Sequence, residues 1–163
     1  GRADASIEGT GTGETLGEVL RSFSGRGSLA LTEAGRLGLD LRALLYGARR
    51  TNRVGWSAAG KGATPLEQFD SRFQVSNGAL TIETLNARSG SHTIFGGGRV
   101  DLAGQILDVD IALRDEGDRN EVLVFRGPWS DPAISLIGRP FTGAAAPALG
   151  AAIAPALPLS ARD

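Results

Sequence analysis

His92 is the only histidine in the chain, and with no cysteine present it is the natural first candidate for acid–base or metal chemistry. No nucleophile–base–orienter set assembles around it, and a zinc site would need further histidine or cysteine ligands. It reads as a solvent-facing strand residue beside a turn. Asp101, Asp108 and Asp110 are the second candidate. Asp108 and Asp110 share one face of a strand about 7 Å apart, a spacing that glycosidase acid–base pairs use. They also alternate with Leu107, Val109 and Ile111, so the plainer reading is the solvated side of an amphipathic strand. Calcium would need a loop with denser oxygen spacing. The third candidate is Gly9-Thr10-Gly11-Thr12-Gly13-Glu14, because glycine-rich amides before a helix bind anions. No Lys-Ser/Thr follows, the glycine spacing differs from the dinucleotide fingerprint, and Glu14 would repel a phosphate. A tight strand-to-helix turn accounts for it better. No catalytic residue, metal ligand or cofactor is therefore expected, and the chain does not read as an enzyme.

The apolar stripes are the stronger candidates. Phe69, Phe73 and Val75 alternate with Asp70, Arg72 and Gln74. Leu80 and Ile82 continue the period of two, as do Leu107, Val109, Ile111 and Leu113. Asn77-Gly78 between the first two runs is a strong hairpin signal, because both central residues of a type I′ turn need positive φ. Ser89-Gly90 and Ala103-Gly104 mark further turns around a run from Ile94 to Leu102. The result is a four-strand antiparallel meander from Leu66 to Leu113, with one apolar face and one polar face.

The flanking elements must cover or frame that face. Ala5 to Thr12 is read as a strand. Thr15-Leu16-Gly17-Glu18 fits a capping box for a helix carrying Leu16, Val19, Leu20 and Phe23, which Gly25 should end. Leu29 and Leu31 form a strand, Glu33-Ala34-Gly35 a turn, and Leu37 and Leu39 a returning strand. Asp40 caps a second helix with Leu41, Leu44 and Leu45, and Arg49 and Arg50 suit its C-terminus. Residues 53–64 read as a loop with Trp56 pinned to the core. Glu121 to Arg126 gives a fifth strand, and Ala133 to Ile137 a last extended piece. Two short helices reach about 14 Å each, whereas strands of about nine residues run close to 30 Å. Either the helices close an ordinary α+β core, or part of the stripe stays open as a trough for acyl chains.

Composition narrows the field. With 163 residues and a formal charge of −1, the chain has no electrostatic footprint for nucleic acid. The 24 glycines fall largely at expected turns, as a β-rich protein requires. The absence of cysteine excludes disulfides and thiolate sites. No methionine stands at position 1, so the sequence is expected to begin within a longer polypeptide or to follow a removed segment. Residues 141–159 contain Pro147, Pro155 and Pro158 with Gly143 and Gly150. Interior prolines break helices, so 138–163 is expected to be an Ala/Pro-rich flexible tail after a domain spanning 1–137.

Three motifs in order carry a family resemblance. The first is Gly11-Thr12-Gly13, a capped helix, then Leu20 through Gly27. The second is Ala34-Gly35-Arg36-Leu37-Gly38-Leu39-Asp40-Leu41. The third runs from Thr64 to Phe69, through Phe73 to Gly78 and Gly96 to Leu102, and ends with Gly127 to Ile134 and its Ser-Asp-Pro. Together they resemble the C-terminal domain of the AsmA family. The resemblance implies a β-dominated α+β fold, a curved antiparallel meander forming an open trough or partial barrel with two short helices at one end. It also implies the periplasm of a Gram-negative bacterium, with an inner-membrane anchor lying outside this sequence. The implied role is outer-membrane biogenesis through lipid binding and transport. Phospholipid or other acyl lipid would be the ligand, and further β-domains of the same chain or envelope proteins the partners. The family has no established catalytic residues to carry over. The apolar face at Phe69, Phe73, Val75, Leu80, Ile82, Leu107, Val109, Ile111 and Leu113 would be the lipid-binding surface.

Overall fold

The computed structural model describes residues 2–117 and 119–140. Eight long strands follow the alternating pattern: β1 (Ala3–Thr10), β2 (Ser24–Leu31), β6 (Gln68–Ser76), β7 (Ala79–Ser89), β8 (His92–Asp101), β9 (Ile106–Arg114), β10 (Arg119–Pro128) and β11 (Ala133–Pro140). Three short strands lie between β2 and β6 in sequence: β3 (Gly35–Leu37), β4 (Arg53–Val54) and β5 (Thr64–Leu66). Nine of these strands build one antiparallel sheet in the order β1-β2-β6-β7-β8-β9-β10-β11-β4, which does not close on itself. The fold is thus β-dominated α+β, built on a long meander.

The turns obey local rules. Asn77 and Gly78 have φ of 49° and 75°, the type I′ signature, and Ser76 pairs with Ala79 across them. Asp101 shapes the β8–β9 turn, accepting from the amides of Ala103 and Gly104 at 3.0 and 2.8 Å. That role removes it from any carboxylate cluster. One extra residue in β7, between Ile82 and Leu85, breaks the register with both neighbours. Such a bulge bends a strand and increases its twist.

Helix α1 (Leu16–Ser22) starts at the expected capping box, with Thr15 and Glu18 exchanging side-chain and backbone hydrogen bonds. It ends sooner than Gly25, because Phe23 is already extended. Gly25 belongs to β2 and serves a different purpose. It pairs with Gly9, and a Cβ there would lie 2.3 Å from the Glu8 carbonyl oxygen. The glycine permits a close β1–β2 approach. Helix α1 meets the β6–β7 turn, where the Gly78 amide donates to Phe23 O at 3.1 Å.

The Glu18 carboxyl accepts from the Glu14 and Thr15 amides, which hold its pKa below the usual 4.5. A depressed carboxyl stabilises the fold above its unfolded pKa and loses that effect as pH falls through its folded value. Amide shifts of Glu14 and Thr15, followed by NMR from pH 7 downward, should therefore titrate with a midpoint below 4.5, and Glu18→Gln should abolish that transition.

Helix α2 (Leu41–Thr51) is capped by Asp40, whose Oδ1 accepts from the Ala43 amide at 2.9 Å. It buries Leu41, Leu44, Leu45 and Ala48. The segment expected to return beside β2 instead pairs elsewhere: β3 and β5 form a separate two-stranded sheet. The expected loop over 53–64 contains β4, which pairs with β11 at the sheet edge, and a 3-10 turn at Trp56–Ala59. Trp56 is pinned as expected. Its ring lies 5.8 Å from that of Phe125, and its Nε1 donates to Trp129 O at 2.6 Å. β11 runs to Pro140, past the expected domain end at 137. The Ala/Pro-rich stretch from 141 onward lies outside the described residues.

Candidate functional site

Residues paired across antiparallel strands share a face, so the register itself builds the site. Ile7 stands in line with Gly27, Phe73, Ile82, Gly98, Val109 and Phe125. The neighbouring row carries Ala5, Leu29, Ser71, Leu85, Gly96, Ile111, Leu123 and Leu136. One apolar face therefore continues from β1 to β11, and all nine stripe residues expected from the sequence lie on it.

Cover is unequal along this face. Over β8 to β11, helix α2 seals a core of Leu41, Leu44, Leu45, Ile94, Leu113, Leu123, Phe125 and Ile134. An eleven-residue helix spans about 16 Å, too short to cover the whole sheet. Among the stripe residues Val75, Val109 and Leu113 are buried. Phe69, Phe73, Leu80, Ile82, Leu107 and Ile111 stay partly exposed. Toward the β1 edge the cover ends. Leu29 is 37% exposed and Ile7 65% exposed. The aromatic rings there fill holes left by glycines: a Cβ on Gly27 would lie 2.4 Å from the Phe73 ring, and one on Gly9 2.7 Å from the Phe23 ring.

Ile7 and Leu29 were not among the candidate lipid-binding residues expected from the sequence. The alternation Ala3, Ala5, Ile7 against Asp4, Ser6, Glu8 carried the signal, but it is a weak one in a run with one large side chain. Strand β1 is exposed throughout, and among the described residues its outer edge has no partner strand.

The opposite face holds the carboxylates. Asp108 and Asp110 both turn to Arg126. Its Nε lies 2.9 Å from Asp108 Oδ1, and its Nη1 2.8 Å from Asp110 Oδ1. Nη1 also donates to the carbonyl oxygens of Val109 and Phe125. Asp110 is only 7% exposed, against the expectation of a solvated strand side. Its Oδ1 has an ion contact with Arg126 without an aligned hydrogen bond. The arrangement is a charged brace across β9 and β10, in which two carboxylates share one guanidinium. Arg126→Met should cost about 3 kcal/mol, because it leaves a buried carboxylate unpaired. Urea unfolding would measure this, and adding Asp110→Asn should recover part of the loss.

His92 also departs from expectation. It is half-buried at the β7–β8 turn and faces a cleft beside α2 with Leu41, Leu45, Ile94 and Leu113. In the glycine-rich segment the Glu18 carboxylate already occupies the amides of Glu14 and Thr15. A tight turn is what the structure contains there. Gly13 has φ of 155°, and a Cβ on it would meet Glu18 Cβ at 2.5 Å. Among the described residues no group of three or more His, Asp or Glu side chains is placed to hold a metal. Among the same residues no helix is long and apolar enough to cross a membrane.

The fold and site together define an open antiparallel sheet protein with a one-sided, incomplete helical cover. No family model, curated protein or solved structure gives a significant match to the chain.

Proposed function

We propose that the chain is the β-trough domain of an AsmA-like envelope protein, and that it binds or guides phospholipid acyl chains on the uncovered part of its apolar face. The observation that carries this reading is a continuous apolar face that helix α2 does not reach at the β1–β2 edge, where Ile7 is exposed and Leu29 partly so. A contiguous exposed apolar patch normally marks a binding surface. Each methylene laid on it contributes about 0.8 kcal/mol, so binding needs no catalyst and no cofactor. The location follows from the family resemblance: the periplasm of a Gram-negative cell, held to the inner membrane through a segment outside this sequence, with a part in outer-membrane biogenesis.

Native mass spectrometry of the full chain purified without detergent tests the proposal. Acyl lipid should leave the protein on collisional activation. The Ile7→Glu/Leu29→Glu variant should carry markedly less, with an unchanged thermal unfolding curve. A lipid-free wild-type protein would overturn the reading.

A second reading rests on the β1 edge. Its unpaired backbone could accept a strand from a further β-domain or an envelope protein, making the domain a structural or capping module that binds no lipid. Ala5→Pro, at a position whose amide faces away from β2, would block such pairing; if partner capture falls while lipid content stays at zero, the module reading is the right one.

A further inference from the structure

Beside α2, at the β7–β8 end of the apolar face, lies a cleft of about 230 Å³. Its floor is apolar, formed by Leu41, Leu45, Ile94 and Leu113. Its rim is polar and includes Arg42, Tyr46 and His92. Two arginines, Arg42 and Arg49, line it, and no Asp or Glu does.

These cations are not equivalent. Arg49 is engaged by Glu121, with Nε donating to Oε1 at 2.8 Å and a second contact from Nη2 to Oε2. That carboxylate hydrogen bond raises the Arg49 pKa above its ordinary value. Arg50 lies over the Tyr46 ring, 5.7 Å from its centroid. Arg42 makes no hydrogen bond or ion pair among the described residues. It also borders a second cleft, which shares Tyr46 and Thr64 with the first. A guanidinium without an ion-pair partner among the described residues thus stands between two openings, one floored by leucine and isoleucine and the other lined in part by Asp40.

We propose that this cleft binds the head end of an anionic single-chain amphiphile, with its carboxylate or phosphate against Arg42 and its first carbons on Leu45 and Ile94. The size supports a head end and not a whole lipid, since pockets that enclose a drug-sized ligand span about 300–1,000 Å³. Charge selects the class: a neutral chain would leave Arg42 unanswered, and a small anion would make no use of the apolar lining beside it. The inference rests on the acyl-binding reading for its ligand class, yet it uses a different surface, so the two fail separately.

The test is amide chemical-shift mapping on the full-length chain, with decanoate below its micelle concentration and with decanol and acetate as controls. Decanoate should shift the amides of Leu45, His92, Ile94 and Leu113, and acetate and decanol should shift them little. Arg42→Gln should weaken decanoate binding about tenfold through loss of a charge-assisted contact, while Arg36→Gln, outside the cleft, should not. Equal binding of decanol and decanoate would overturn the anion assignment. Shifts confined to residues 5–7 and 27–31 would overturn the cleft as a site while leaving the trough reading intact. No decanoate shift anywhere would overturn the cleft proposal, and lipid release in the mass spectrometer would still decide the trough independently.

Discussion

Leu44→Ala should lower the unfolding free energy by about 3–4 kcal/mol, while Leu29→Ala on the same sheet face should cost less than about 1 kcal/mol. Leu44 is completely buried under α2 against the β8–β11 half of the sheet. Truncating it removes the transfer energy of the lost carbons and leaves a cavity that β-sheet backbone cannot collapse to fill. Leu29 is 37% exposed and lies outside that core. Its side chain gives up little when shortened. Paired urea titrations with matched slopes would measure the contrast. Similar losses at the two positions would mean that the β1–β2 half is covered in solution, and the trough reading would lose its main support.

Gly98→Ala should be as damaging as a core truncation, with a loss of about 3 kcal/mol or more, although it adds a single methyl group. Gly98 has φ of 139°, which L side chains rarely adopt. A Cβ there would lie 2.3 Å from Asp108 O and 2.6 Å from Val109 Cα. Both obstacles are backbone of the neighbouring β9, so no side chain can rotate away. Strain at a disallowed φ and overpacking each cost about 1–3 kcal/mol, and here they act together. Gly98 pairs with Ile82, next to the β7 bulge, so the substitution strikes where the sheet changes register. Gly90→Ala, at φ of 57° but with open space around it, should cost only the backbone strain of about 1 kcal/mol. Thermal unfolding of the two variants side by side would separate clash from strain.

The helical caps at Thr15 and Asp40, the Asn77-Gly78 turn and the common face of the nine stripe residues were legible in the sequence. Each depends on neighbours within a few positions, through a side chain that reaches a nearby amide, a residue that tolerates positive φ, or the strict period of a strand. Partners distant in sequence were not legible. Residues 53–54 join β11 eighty positions away, and Gly35–Leu37 leaves β2 for Thr64–Leu66. Strands of two or three residues carry too few side chains to specify a partner by pattern.

The same division holds for the candidate site. Alternation predicted the polar placement of Asp110 but not its burial beside Ala112 and Val124, where Arg126 reaches it from β10. His92 sits beside a turn as its neighbours dictate, yet it faces a cleft only because α2 packs over that end of the sheet. By itself the sequence determined that a two-faced antiparallel sheet would form, since backbone geometry ties side-chain direction to position parity. Only the tertiary structure decided which stretch of the apolar face is sealed and which is left in water, because that depends on where an eleven-residue helix comes to rest on a sheet far wider than itself.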